Sequence, residues 1–151
     1  MRVRPATAAD IPAIMELERH TRAAAHWSVE RYEQMFGATP PDLLHYVGLV
    51  IEDEYGIQGF LVGQAHADEW ELQSIAVRAA GHGRGFGSQL LIKFLEQARE
   101  RGAKSVYLEV RESNQAARAF YEKWLFQEGG RRKDYYNSPL EDAVLYCRRL
   151  P

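Results

Sequence analysis

Four glycines at every second position, Gly81, Gly83, Gly85 and Gly87, form the part of the sequence that most directly suggests chemistry. They separate a strand-like run, 70–77, from a helical run, 86–100. Glycine lets a backbone turn sharply and approach a ligand closely, because it has no Cβ atom to clash. The first N–H groups of a helix lack intrahelical partners and carry the positive end of the helix dipole. The spacing therefore predicts an anion site with a diphosphate as its ligand; the alternative is a glycine-rich surface turn.

Two common nucleotide-binding patterns do not fit this loop. The P-loop needs Gly-Lys-Ser/Thr at its end, and no such tripeptide follows Gly87. In the dinucleotide pattern GxGxxG, the third glycine would fall on Phe86 or on Ser88. Both nucleotide interpretations are therefore disfavoured.

The loop and its surroundings resemble one known family. Ile75-Ala76-Val77 followed by His82-x-x-Gly85-x-Gly87 is similar to the acyl-CoA pyrophosphate loop of the GCN5-related N-acetyltransferases (GNAT). A second segment, Asn114-x-x-Ala117-x-x-x-Tyr121-Glu122-Lys123, resembles the family's other cofactor segment. Because the order of elements also fits, the resemblance covers nearly the whole chain. It implies an acetyl-CoA-dependent N-acetyltransferase.

A narrower resemblance is to the ribosomal-protein-alanine N-acetyltransferases of the RimI type. The matching segments are Trp27-Ser28, Leu108-Glu109-Val110-Arg111, Ser113-Asn114, Tyr135-Tyr136 and Glu141-Asp142-Ala143. This resemblance implies that the acceptor is the N-terminal α-amine of a protein, alanine first, with a ribosomal protein as the implied partner.

The resemblance assigns the cofactor to two parts of the chain. The backbone of Ile75, Ala76 and Val77 would pair with the pantetheine amides as an added strand does, and an N–H there could stabilise the oxyanion. Asn114 would hydrogen-bond the pantetheine arm, cap a helix, or do both. The diphosphate would lie on the loop and helix start, which comprise Gly83, Arg84, Gly85, Phe86, Gly87 and Ser88.

Acetyl transfer from a thioester to an amine needs a neutral amine, a stabilised oxyanion and a proton for the departing thiolate. Glu109 is the expected base, since it lies mid-strand on the face opposite the apolar residues and matches the proton acceptor of RimI-like enzymes. The alternative is a solvated or salt-bridged glutamate beside Arg111. Glu71, expected on the same face as residues 73, 75 and 77, is the second candidate. The helical spacing of Tyr121 is typical of a core residue, whereas the resemblance makes it the proton donor.

Two positions depart from the family pattern. The Gln/Arg at the head of the loop is His82 here, although Arg84 could supply a cation. Leu125 replaces the glycine that follows the helix carrying Tyr121, where a left-handed conformation is usual and disfavoured for leucine. Either that helix ends differently, or about 1 kcal/mol is lost at this position.

The lower pKa of an α-amine, compared with a lysine, favours an α-amine as the acceptor. An α-amine titrates near ~7.7–8.0 and a lysine near ~10.4, so the α-amine is easier to deprotonate at pH 7 by roughly 3.5 kcal/mol. Trp27, Tyr135 and Tyr136 are the expected wall of the peptide site. Two alternatives remain: a small-molecule amine acetyltransferase, and a non-catalytic acyl-CoA-binding module.

Alternation and helical spacing predict the elements around these residues. A strand near Val3 precedes a helix over 8–22 and a second helix that Ser28 caps and Pro40-Pro41 end. Strands follow over 45–52, 57–66 and 69–77, then the helix ending at Gly102, a strand over 105–111 and a helix capped by residue 113 or 114. Strands over 127–132 and 143–149, with a polar loop at 134–139, complete the chain. This order predicts one α/β domain over 1–151, and the resemblance implies a GNAT-like fold with a mixed, mostly antiparallel central sheet flanked by about four helices.

Composition limits the remaining function classes. Nineteen Lys and Arg against 21 Asp and Glu in 151 residues argue against general nucleic-acid binding. No apolar run is long enough to span a bilayer, and no signal peptide precedes the first helix. One cysteine, Cys147, fits a cytoplasmic protein. The other four histidines (His20, His26, His45 and His66) lack metal-ligand spacing, so no metal is expected.

Overall fold

A seven-stranded mixed sheet runs through the protein, whose computed structural model describes residues 1–21, 24–37, 45–81 and 83–151. The strands are β1 (Arg2–Pro5), β2 (Tyr46–Asp53), β3 (Gly56–His66), β4 (Glu69–Val77), β5 (Ser105–Arg111), β6 (Gln127–Tyr136) and β7 (Glu141–Arg149). The α-helices of the described residues are α1 (Ile11–Arg19), α2 (Val29–Phe36), α3 (Phe86–Glu100) and α4 (Gln115–Lys123). The predicted element order is confirmed.

The sheet has the order β1-β2-β3-β4-β5-β7-β6. Every neighbouring pair is antiparallel except β4 and β5, which are parallel. A mixed, mostly antiparallel sheet with four flanking helices was predicted, and the structure confirms it. The single parallel pair matters for function, because parallel neighbours need a crossover, and here the crossover carries the glycine loop and α3.

The two faces of the sheet bury two separate apolar clusters. On one face, the stripe of α3 that includes Leu90, Leu91 and Phe94 packs against alternate residues of the central strands. On the other face, α1 and α2 pack against the intervening residues, including Val50 and Phe60. Period-2 alternation along each strand accounts for this division.

A β-bulge at Gln73 makes one prediction about β4 wrong. Val62 pairs with Ser74 but Gly63 pairs with Leu72, so Gln73 is an extra residue on β4. Trp70 and Leu72 face the α3 cluster before the bulge, and Ile75 and Val77 face it afterwards. Glu71 therefore does not share a face with residues 75 and 77, because the inserted residue reverses the alternation between them.

Several element boundaries also differ from the predicted ones. α1 ends at Arg19, and Arg22 lies outside the described residues. α2 ends at Phe36, while Pro40 and Pro41 lie outside the described residues. β6 continues into the expected loop as far as Tyr136. A register shift after Arg132 places residues 133–135 of β6 opposite a single residue of β7, Asp142. The backbone N–H of Asp134 donates to the side chain of Asp142 within that irregular stretch, at 2.9 Å, and so ties it to β7.

Candidate active site

A cleft opens where β4 and β5 separate. In the described part of the chain these strands pair only over their first three residues, ending with Glu71 opposite Tyr107. Leu72 and residues 74–76 of β4 pair with β3 on one side, and residues 72–76 have no strand partner on the other side among the described residues. A cleft of about 1250 Å³ lies there, bordered by the end of β4, the start of α3 and α4. An amide-bearing chain can pair with such an exposed strand edge.

The glycine loop forms the α3 end of this cleft. Gly83 and Gly85 have φ values of 84° and 82°, in the left-handed region that side-chain-bearing residues rarely adopt. Gly85 caps α3, and its carbonyl accepts the first helical hydrogen bond, from Gln89 at 3.0 Å. The next N–H groups, beginning with Phe86, have no acceptor within the helix. The loop thus presents backbone donors at the positive end of a 15-residue helix.

Nine of the ten predicted cofactor residues line this cleft; they are Ile75, Ala76, Val77, Gly83, Gly85, Phe86, Gly87, Ser88 and Asn114. The exception is Arg84, whose guanidinium lies 3.8 Å from the Asp53 carboxylate and 4.9 Å from the centre of the Phe86 ring. His82 lies outside the described residues. Two cationic residues that were not predicted as cofactor residues also line the cleft, Arg78 directly after β4 and Lys123 at the end of α4.

Asn114 and Ser88 hold the cleft walls in place. The side-chain oxygen of Asn114 accepts from the backbone N–H of Ala117 at 3.1 Å, which caps α4. Its amide N–H groups are not used by that cap and can face a ligand. The indole N–H of Trp124 donates to the Ser88 hydroxyl at 3.2 Å, so the start of α3 is tied to the end of α4.

Glu109 lies on β5 with its side chain 14% exposed. Arg132 of β6 reaches it, with Nε 2.9 Å from the Glu109 Oε1 atom. Burial, together with the charges of Glu71, Glu69 and Glu109, raises the pKa of Tyr107. Glu71 and Glu109 therefore lie on either side of Tyr107, and both predicted carboxylates are brought to one region.

Glu71 is engaged by neutral and weakly basic neighbours. Its carboxylate accepts a hydrogen bond from the Gln73 amide at 3.0 Å, and His66 Nε2 lies 3.5 Å away. The Gln73 amide also donates to Gln64 at 2.7 Å. Glu71 is thus fixed within a polar network, while Glu109 has a single cationic partner among the described residues.

Tyr121 is buried in the core between two aromatic rings. Its ring centre lies 5.3 Å from that of Phe120 and 5.6 Å from that of Phe126, both edge-on. A tyrosine phenol is protonated at neutral pH, and burial raises the pKa of Tyr121 further above its ordinary value. Phe120 lines the cleft, whereas Tyr121 lies behind it. The structure thus gives Tyr121 the protonation state of an acid together with the packing of a core residue.

The family assignment rests on the sequence. Residues 11–125 match the profile of the Acetyltransferase (GNAT) family. The chain belongs to the GNAT family.

Named relatives narrow the assignment within GNAT proteins. A ribosomal protein bS18-alanine N-acetyltransferase of Haemophilus influenzae is 42% identical over 103 residues, which cover 66% of this chain and 70% of that protein. The Salmonella typhimurium protein of the same name is 33% identical over 138 residues, with coverage of 90% and 88%. The crystal structure of the Escherichia coli ribosomal-protein-S18-alanine N-acetyltransferase superposes with a TM-score of 0.83 at 29% identity, covering 98% of this chain and 92% of the other. The protein is an acetyl-CoA-dependent N-acetyltransferase.

The predicted acceptor wall of this GNAT protein is only partly assembled around Glu109. Tyr135 and Tyr136 are in edge-on contact at 5.1 Å, and Tyr136 lies under the Arg111 guanidinium at 4.4 Å. Burial and the nearby charge of Glu109 raise the pKa of Tyr136 to about 12. Trp27 instead packs against Tyr32 in the helical layer, with ring centres 5.8 Å apart.

Three further residues of the site carry no signal in the sequence. Leu17, His20 and Thr21 from the end of α1 line the cleft, because α1 lies over the separated end of β4. Lys123, by contrast, could have been found from the sequence, because it is the last residue of the second cofactor segment, which begins at Asn114. Within the described ranges, no group of three or more His, Cys, Asp or Glu side chains could hold a metal ion, and no helix could cross a membrane.

Proposed function

We propose that the protein transfers the acetyl group of acetyl-CoA to the N-terminal α-amine of alanine in ribosomal protein bS18. The observation that carries the proposal is the similarity, over 90% of the chain, to a protein named for that activity. A bacterial ribosomal substrate would place the protein in the cytoplasm.

The cleft supports one orientation of acetyl-CoA. The diphosphate would accept hydrogen bonds from the N–H groups that follow Gly85, with Lys123 adding positive charge. The pantetheine amides would pair with the open edge of β4 at Ile75 and Ala76, and the Asn114 amide would donate to the same arm. The thioester would then lie where β4 and β5 part, on the side of Glu109.

Glu109 is the proposed base. Its carboxylate, 14% exposed and paired with Arg132, would accept the proton of an incoming ammonium, directly or through one water. The amine nitrogen would then attack the thioester carbon, and a backbone N–H of the β4 edge would stabilise the oxyanion. When the C–S bond breaks, Tyr121 would donate its proton to the thiolate, since a tyrosine phenol is protonated at neutral pH.

The energetic demand on the base favours an N-terminal amine. Deprotonating an α-amine rather than a lysine at pH 7 saves roughly 3.5 kcal/mol. A single carboxylate such as Glu109 is therefore better matched to an α-amine than to a lysine.

The proposal is tested with acetyl-CoA and a panel of acceptors while thiol release is followed. The panel contains Ala-, Ser- and Met-starting peptides, N-blocked lysine peptides and polyamines. Release with free N-terminal peptides, fastest for alanine, supports the proposal. A preference for polyamines would assign a small-molecule acetyltransferase, and no release despite tight CoA binding would assign a binding module.

Glu109→Gln tests the role of the base, with Glu71→Gln as the matched control. We expect Glu109→Gln to lower kcat by about 100-fold with unchanged CoA affinity, the loss being largest at low pH, where little amine is already neutral. A larger loss in Glu71→Gln, or an unchanged pH profile in Glu109→Gln, would move the base to Glu71 or to water.

A further inference from the structure

Arg132 of β6 reaches across one strand, β7, to the proposed base on β5. In the sheet, Arg132 pairs with Ala143, and Ala143 pairs with Arg111. Glu109 lies on the neighbouring row, which continues through Leu145 to Gly130. The Arg132 side chain must therefore extend diagonally across β7, toward the row that contains Glu109, to bring its Nε to 2.9 Å from Glu109 Oε1.

The β7 residue beside Arg132 is small. Arg132 pairs with Ala143, whose side chain is a single methyl group. The ring of Tyr135 lies 5.5 Å from the Arg132 guanidinium carbon on the outer side. The arginine is thus held between an aromatic ring and the carboxylate, with its side chain 57% exposed.

The other charged groups near Glu109 are occupied elsewhere. Arg111, on the same strand, pairs with Glu141 at 3.2 Å and donates to the carbonyl groups of Asn137 and Pro139. Tyr107 of β5 and Tyr136 of β6 are neutral at pH 7 as phenols ordinarily are, and burial raises the pKa of each further. On β4, Glu69 and Glu71 pair with Ser105 and Tyr107, which brings two more carboxylates to this part of the sheet.

We infer that Arg132 is a positioning residue of the general base. It holds the Glu109 carboxylate in place through the contact of its Nε atom with Oε1, so that the carboxylate is oriented to receive the amine proton. This inference rests on the proposed function of Glu109. Because the guanidinium is more than half exposed, it can shift as the acceptor enters without unfolding the hairpin.

Arg132→Gln tests the inference, with Arg131→Gln as the control. Arg131 is adjacent and carries the same charge, but it pairs with Glu112 and Glu128 and points to the opposite face of β6. We expect the titration midpoint of the Glu109 carboxyl carbon, followed by NMR, to rise by about half a pH unit in Arg132→Gln and to stay unchanged in Arg131→Gln.

Activity provides the second measurement. With an Ala-starting peptide, Arg132→Gln should lower kcat roughly 3- to 30-fold at unchanged KM for acetyl-CoA, and Arg132→Lys should restore part of the loss. Equal effects of Arg131→Gln and Arg132→Gln, or an unmoved Glu109 titration, would overturn the inference. The titration needs no substrate, so if the wild-type protein fails to acetylate the peptide, the proposed function fails while the titration still decides the role of Arg132.

Discussion

Gly85→Ala tests whether the left-handed turn of the glycine loop is what binds CoA. Gly85 has a φ of 82°, and a Cβ built there would meet no atom within 4 Å. The substitution therefore introduces no clash, and its whole effect comes from placing a side-chain-bearing residue in the left-handed region. That conformation costs such a residue about 1 kcal/mol.

The magnitude follows from a comparison of three states. If the bound loop keeps its conformation, the CoA complex of Gly85→Ala is less stable than the wild-type complex by about 1 kcal/mol, measured from the unfolded chain. The free protein carries this strain if its loop stays in place, and avoids it if the loop relaxes. In the first case Tm falls by about 2–4 °C, and in the second the Kd for CoA rises about fivefold.

Urea unfolding and calorimetric CoA titration together measure both parts. We expect the loss of unfolding free energy and the loss of binding free energy to add to about 1 kcal/mol in Gly85→Ala. Gly102→Ala is the control, since Gly102 also has a left-handed φ, 91°, and a Cβ built there would meet no atom within 4 Å, but it follows the other end of α3 and does not line the cleft. It should lose about 1 kcal/mol of unfolding free energy and bind CoA as the wild type does. Wild-type behaviour of Gly85→Ala, or an equal loss of CoA affinity in Gly102→Ala, would refute this reasoning.

Three further predictions concern stability and proton transfer. Leu125→Gly should be more stable than Leu125→Ala by about 1 kcal/mol in thermal unfolding, because residue 125 has a φ of 68°, a conformation that is strained for alanine but not for glycine. Equal Tm values would contradict this prediction. Asp10→Asn should cost about 2–3 kcal/mol at pH 7, since the paired Arg4 guanidinium, at 2.8 and 2.9 Å, holds the pKa of Asp10 below its usual value. That contribution is fully present above the unfolded pKa of about 4 and is lost progressively as the pH falls through the lower folded pKa, so the difference between wild type and variant in urea unfolding should be smaller at pH 3 than at pH 7. Tyr121→Phe should retain CoA affinity and lower kcat about 10- to 100-fold, and an unchanged kcat would leave Tyr121 a core residue only.

Local patterns were sufficient for most of the fold. Alternation along β5 and the apolar stripe of α3 each depend on a few neighbouring residues, so their bounds could be read from the sequence. At Leu125 the sequence left two alternatives, a different helix end or a strained left-handed residue, and its φ of 68° agrees with the second.

Features that depend on packing between distant residues could not be predicted. The bulge at Gln73 arises where β4 pairs with β3, next to Gly63, at which a Cβ would lie 2.2 Å from the ring of Phe94. One inserted residue there reverses the face of Glu71. The contact between Arg132 and Glu109 crosses β7 and depends on the register of three strands, so no local spacing signals it.

A peptide that begins with a free alanine and also contains an internal lysine tests the central claim most directly. After incubation with acetyl-CoA, fragmentation by mass spectrometry locates the acetyl group on one amine or the other within the same molecule. We expect acetylation of the N-terminal α-amine and its loss in Glu109→Gln. Acetyl groups mainly on lysine, or equal acetylation by the Glu109→Gln protein, would contradict an N-terminal acetyltransferase that uses Glu109 as its base.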